Sequence, residues 1–121
     1  MSTAVPKRRS TARPKDSTDA ARLDHALLKA VYAADLDSTI AALEAGAEIE
    51  HADPDSGLTA LHIAIGTNNL ALVRMLIDDW GATIKPDGRG RWPSVIAAQC
   101  RVDEDLSDYV VEAEDKALDA E

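Results

Sequence analysis

An all-α solenoid of helix-turn-helix units joined by short hairpins is the fold this sequence predicts, and three observations carry that expectation. The chain repeats itself at a near-constant interval. Leu27, Ala30 and Leu36 recur 34 residues on as Leu61, Ala64 and Leu70, and Ile63-Ala64 recur 33 residues on as Ile96-Ala97. A period of that size marks stacked supersecondary units, none of which covers its own apolar face. Within each interval the apolar residues keep the spacing of a helix face, punctuated by Gly, Pro, Asp and Asn. Finally, 45% of the chain is apolar but none of it is Phe and only 3% is aromatic. Leu, Ile, Val and above all Ala must fill the interior, which suits short, closely packed helices.

The elements follow in order. Residues 1–19 are rich in Ser, Thr, Pro and basic residues, with Val5 the only large apolar one after Met1. Such a segment buries too little surface to offset its ordering entropy, so a disordered basic tail is expected. Its Arg8-Arg9-Ser10-Thr11 run has the look of a basophilic kinase site or a weak nucleic-acid tag, set against the plainer reading of a solvated tail. The repeat domain is expected over residues 20–118, in units of about 23–52, 53–86 and 87–118, with 119–121 as the chain end. From Asp24 the period turns helical, with Leu27, Leu28, Ala30, Val31 and Ala34 on one face. Asp37 or Ser38 caps the next helix, where Ile40, Ala41 and Leu43 point inward, and Gly46 stops it.

Residues 50–58 read as an extended finger turning at Pro54 and Gly57. The second unit then predicts a helix over about residues 60–66, a left-handed turn at Asn68, and a helix over about 71–79 that buries Leu72, Val73, Leu76 and Ile77. Aligning the two unit ends leaves Trp80 as one extra residue before Gly81, the counterpart of Gly46. The third unit opens on a hairpin at residues 86–91 and a helix over about 93–100. Leu106 lies 36 residues after Leu70, three more than the interval seen between Ile63 and Ile96, so the turn before the last helix is longer. That helix runs through Tyr109, Val110 and Val111 into an acidic, Ala-rich end, as befits a terminal unit facing water. Three units are about the minimum for a stable stack, so modest stability is expected.

The six residues Thr59-Ala60-Leu61-His62-Ile63-Ala64, entered through Gly57, resemble the opening of an ankyrin repeat, whose signature is T-P-L-H-x-A. Ala60 stands where that family has Pro, and Trp92-Pro93 occupies the Thr-Pro position one interval later. The intervals of 33 and 34 are those of the ankyrin period, and the resemblance covers roughly residues 23–112. It implies that Thr59 leads onto the helix, that Leu61 and Ala64 pack inward, and that His62 ties the turn to backbone across the hairpin. Asp87 and Gly90 fall at the family's hairpin Asp and Gly. It also implies a non-catalytic module that binds another protein through hairpin tips and the exposed face of the first helices. Those positions are Tyr32, Asp55, Leu58, Arg89, Arg91, Trp92 and Gln99, with Ala33, Ser56, Gly66, Thr67, Gly88 and Cys100 beside them. Their side chains lie outside the family's core pattern, so Arg89 and Arg91 are expected to be free for recognition. Trp92 is either core or an exposed anchor, and Trp80 is expected to staple its loop to the helices.

Charge narrows the partner. Residues 1–15 carry five basic residues and no acid, so the remaining chain holds 8 basic and 22 acidic residues, a balance of −14. A body that acidic repels nucleic acid and anionic lipid and complements a basic protein surface. An inhibitor or immunity protein that neutralises a basic enzyme or toxin is the alternative reading of the same balance. Acidity that merely maintains solubility is the plain one. No run approaches the ~20 apolar residues of a membrane span, and no apolar stretch follows Arg8 and Arg9 as in a secretory signal. The single Cys100 allows no internal disulfide and points to a reducing, cytoplasmic setting and a half-buried inert thiol. His25 and His51 lack partners at metal spacing, no phosphate-cradling loop or nucleophile motif occurs, and His62 and Cys100 have no second catalytic group at a workable distance. No enzyme, cofactor or metal is expected, and the free chain is expected to be a monomer.

Overall fold

The computed structural model of the chain describes residues 17–119. Among these the secondary structure is entirely helical: α1 (Ser17–Tyr32), α2 (Leu36–Glu44), α3 (Ala60–Gly66), α4 (Leu70–Arg74) continued by a π-turn (Met75–Asp79), α5 (Pro93–Cys100) and α6 (Glu104–Asp119). They form three pairs, and α3 lies between α1 and α5, so the first helices of the pairs stand in a row. The core runs through all three pairs, from Leu27, Val31 and Leu43 through Leu61, Ile65 and Leu76 to Ile96, Leu106 and Val110.

Helix α1 begins seven residues before the expected start at Asp24 (24 − 17 = 7) and takes in Ser17 to Asp19, the end of the stretch read as tail. Asp19 sits in its first turn, where a negative charge suits the helix dipole, and pairs with Arg22 at 3.9 Å. Buried Ala20 and Asp24 extend the inward face of Leu27, Leu28, Ala30 and Val31 backwards. The rest of the tail, including Arg8-Arg9-Ser10-Thr11, lies outside the described residues, as do residues 120–121.

Ala34 is not on the inward face as expected. It is exposed, with φ 58°, and it turns the chain. Its N–H donates to the Val31 carbonyl at 3.0 Å and the next N–H, of Asp35, to Ala30 at 3.0 Å, the paired bonds that close a helix with a left-handed residue. The same pair of bonds recurs at Asn68 (φ 61°) and at Arg101 (φ 53°). Positions 34, 68 and 101 therefore repeat the interval in backbone conformation, although only Asn68 is a residue that favours it.

The chain leaves this turn with Asp35 as the cap of α2, in place of Asp37 or Ser38. Its carboxylate accepts from the Ser38 N–H at 3.1 Å and the Ser38 hydroxyl at 2.7 Å, and these bonds hold the carboxyl below its ordinary value. Thr39, Ala42 and Leu43 are buried, whereas Ile40 is half-buried and Ala41 exposed, against the expected inward set. The Thr39 hydroxyl satisfies itself on the Asp35 carbonyl at 2.7 Å.

Helix α3 has the expected bounds and six consecutive buried residues, Ala60 to Ile65. A helix buried on every side is the centre of a stack. Asn69 caps α4, accepting from Leu72 N–H at 3.1 Å. Leu72, Val73 and Leu76 are buried, and Ile77 is half-buried against the core. The extra residue appears here as a π-turn. In the first pair Ala47 N–H reaches Ala42 O at 3.0 Å, while in the second the matching bond, Ala82 N–H to Leu76 O at 2.9 Å, spans one residue more. Trp80 N–H meanwhile bonds Met75 O at 3.3 Å, the spacing of a π-helix. Keeping Leu76 and Ala82 in register with the first pair forces the added residue into the helix, and the Trp80 indole is buried to 4% exposure as a result.

Pro93 opens α5 at its first position, where no N–H is needed. Trp92, the preceding residue, offers no side-chain cap. Glu114 of α6 supplies one instead: its carboxylate accepts from Ser94 N–H at 3.1 Å and from the Ser94 hydroxyl at 2.7 Å. Along α6, Leu106 and Val110 face inward while Val111 and Leu118 are exposed.

Candidate interaction face

The hairpin tips are built first by glycine. Gly88 N–H donates to the Gly57 carbonyl at 2.7 Å, and a Cβ on Gly88 would lie 2.9 Å from the Gly57 Cα. No side chain fits at that approach, and Gly57 adopts φ +78° besides, so both positions demand glycine. Each turn is closed on its own aspartate. Asp53 N–H reaches Leu58 O at 2.9 Å, and Asp87 N–H reaches Arg91 O at 2.9 Å.

Asp87 then organises the second tip. Its buried carboxylate accepts from the N–H groups of Arg89 and Arg91, both at 2.9 Å, and from the Arg91 guanidinium at 2.8 and 2.7 Å. Burial pushes this carboxyl up, but the two backbone donors and then the guanidinium outweigh it and hold it below its ordinary value. Arg91 reaches on to the Ser56 carbonyl at 3.3 Å, and Arg89 donates to the Asp55 carbonyl at 2.8 Å. The two arginines therefore clamp one hairpin to the other. The expectation that both are free of structural work is corrected: Arg91 is half-buried and engaged at three points, and only Arg89 remains exposed.

Beneath the tips the signature residues interlock. His62 is 1% exposed. Its Nε2 lies 2.9 Å from the Lys85 carbonyl, which can only accept, so Nε2 carries the proton and bare Nδ1 takes the Thr59 hydroxyl at 2.6 Å. Burial holds the imidazole below its ordinary pKa, partly offset by the Lys85 bond. Leu61 and Ala64 are buried beside it, as read from the sequence. Gly46 (φ 108°) and Gly81 (φ 67°) end the second helices. Glu50 adds a further tie, accepting from Thr83 N–H at 2.8 Å and pairing with Lys85 at 3.1 Å.

On the first helices Tyr32 is 54% exposed, and Gln99 is exposed at the matching position of α5. Gly66 lies between them in the interval, and a Cβ there would sit 3.6 Å from the Cys100 sulfur. Cys100 itself is exposed, not half-buried as expected, because Ile96 and Ala97 take the inward side of α5. Asp55 is exposed, whereas Leu58 and Trp92 are half-buried, Leu58 against the core. Of the expected partner positions, then, Tyr32, Asp55, Arg89 and Gln99 present their side chains outward. Sequence reasoning placed Asp87 in the hairpin but missed its bonds to Arg89 and Arg91, and it missed the Glu114 cap and the Asp24 carboxylate, which holds Glu48 N–H at 2.8 Å. A signal for the first existed in Asp53 and Asp87, 34 residues apart.

A stack of paired helices with glycine-tipped hairpins and an interlocked Thr59-His62 turn defines a scaffold of the helical-repeat class. A family model for ankyrin repeats (many copies) matches residues 25–77, and that part of the chain is built of ankyrin repeats. The third pair lies beyond the matched residues and joins the stack through α3, α5 and the tied hairpins. No curated protein matches the chain. Ankyrin repeats serve in general as protein-interaction modules. Among the described residues no helix is long and apolar enough to cross a membrane.

Proposed function

We propose that the chain is a non-catalytic module that binds a partner protein through the face made by its hairpin tips and first helices. The observation that supports this reading most is the division of labour along that face. Asp87, Arg91, His62 and the tip glycines are spent on internal bonds, while Tyr32, Asp55 and Gln99 stand exposed on the frame they create, with Arg89, exposed as well, braced on the Asp55 carbonyl. Tyrosine and arginine are the residue types that anchor interfaces, and Asp at a rim steers encounter. The −14 balance of residues 16–121 favours a partner with a basic surface, and a neutraliser of a basic enzyme or toxin is the second reading on the same ground. The free chain is read as a monomer in a reducing, cytoplasmic setting.

Photo-crosslinking tests the face before the partner is known. A benzophenone amino acid placed at Tyr32 or Gln99 of the full chain is expected to capture a common protein, identified by mass spectrometry, that the same probe at Val111 does not. Capture at Val111 alone would place the contact on the opposite side and end this reading.

A further inference from the structure

Of the six glycines, five answer to the chain's own structure. Gly46, Gly57, Gly81 and Gly90 take positive φ, and Gly88 lies too close to the Gly57 backbone for a Cβ. Gly66 is the exception. It is the last residue of α3, with its backbone outside the left-handed region. A Cβ there would sit 3.6 Å from the Cys100 sulfur and 3.7 Å from an Ile96 methyl, both ordinary contact distances. Alanine therefore fits, and it suits a helix better, because glycine surrenders more freedom on folding and contributes no packing. Nothing among the described residues requires this position to lack a side chain.

Its place on the face supplies the reason. Gly66 is the middle member of a row whose outer members, Tyr32 and Gln99, are exposed, and it is itself half-buried. The row thus has a gap at its centre, walled on the α5 side by the Cys100 sulfur and Ile96. The gap is uncharged: residues 57–73 hold no Asp, Glu, Lys or Arg, in a chain that is 29% charged. The neighbouring Thr67 hydroxyl is already spent on the Ile63 carbonyl at 2.9 Å. Asp55 and Arg89 stand in the hairpins, whereas Gly66 ends α3, roughly 10 Å along the helix at 1.5 Å per residue.

We infer that this gap seats a large apolar side chain of the partner protein, an inference that rests on the face proposed above. A charged side chain buried there would find no counter-charge, which selects an apolar one. Interface anchors of that kind sit at the centre of a contact, in a seat that excludes water, with charged groups at the rim. Gly66 provides the centre, Tyr32 and Gln99 flank it, and the charges of the hairpin tips form the rim. The −14 balance of residues 16–121 then acts on encounter and on the rim, while the anchor itself is uncharged.

Filling the gap from either wall tests it. Gly66→Ala adds a methyl that the fold accepts, so the melting temperature of the full chain is expected to rise by about 2–4 °C. A fall would mean that the fold itself needs the glycine, and would overturn the inference without any partner in hand. Cys100 is exposed and is the chain's single cysteine, so N-ethylmaleimide on the native protein sets a bulky group on the opposite wall and leaves α3 untouched. Calorimetry then uses the purified protein captured at Tyr32 or Gln99. The Gly66→Ala chain is expected to bind it about fivefold weaker or more, and the alkylated chain about tenfold weaker or more. Native affinity in either would overturn the seat. If Tyr32→Ala with Gln99→Ala still weakens binding in the same titrations, the face stands and only the seat is lost; native affinity in all of them would remove the face as well.

Discussion

His62 and the arginines show what single residues contribute. With both ring nitrogens bonded and the ring buried, His62→Ala is expected to cost about 1–3 kcal/mol, measured by chemical denaturation, because the Lys85 carbonyl and Thr59 hydroxyl lose their partner. Its folded pKa is depressed, so the unfolded chain binds the extra proton first. Stability from this group is therefore complete above about pH 6.5 and declines as pH falls below it. The melting temperature is expected to drop between pH 7.5 and 5.5 in the native chain more than in the His62→Gln variant, and equal slopes would mean the imidazole is not held neutral. The two arginines separate cleanly. Arg91→Glu sets a carboxylate against buried Asp87 and is expected to destabilise by about 2 kcal/mol or more. Arg89→Glu, on an exposed side chain, is expected to stay within about 0.5 kcal/mol. The sequence made both look like surface residues, because a buried aspartate that recruits one of them is visible only once the turn closes.

Helices end here by a rule that the residues only partly follow. Ala34, Asn68 and Arg101 occupy the same left-handed position in successive pairs, and a Cβ there costs about 1–2 kcal/mol. Ala34→Gly relieves that strain at the expense of unfolded-chain entropy, and a net gain of about 0.5 kcal/mol in denaturation is the expected result. A loss would mean the Ala34 methyl contributes packing that its exposure conceals. At the other end of the third pair, Glu114→Ala removes the borrowed cap of α5 and is expected to cost about 1 kcal/mol. Much of this level was legible. The starts of α3 and α5 follow from Thr59 and Pro93 as entry signals, and the stop of α3 from Asn68, whereas the left-handed stop of α5 at Arg101 carries no residue signal. The π-turn was half-legible: Trp80 counted as an extra residue, but whether it loops out or enters the helix is decided by Leu76 and Ala82 keeping register with the first pair. The start of α1 and the Asp35 cap escaped because several Ser and Asp residues compete as caps locally and packing chooses among them.

For the whole molecule, stability is expected to be graded. Helix α3, buried on all sides, should give the slowest amide exchange, with α1 and α6 opening first. The repeat architecture was read almost entirely from the interval and the Thr59-to-Ala64 run, because stacking fixes both spacing and inward residues. The face was read less completely. Of the positions proposed for it, Tyr32, Asp55 and Gln99 are exposed, whereas Leu58 and Arg91 serve the frame itself. Deleting residues 1–16 is expected to leave the melting temperature within a few degrees, since a charged segment contributes little beyond screened contacts. The central claim is that partner binding uses the hairpin and first-helix face. Isothermal calorimetry of the captured partner against Tyr32→Ala with Gln99→Ala, and against Val111→Ser with Leu118→Ser, tests it most directly. The first pair is expected to weaken binding by about 1 kcal/mol or more while the second leaves it unchanged. Binding that survives the first pair and fails with the second would contradict the account.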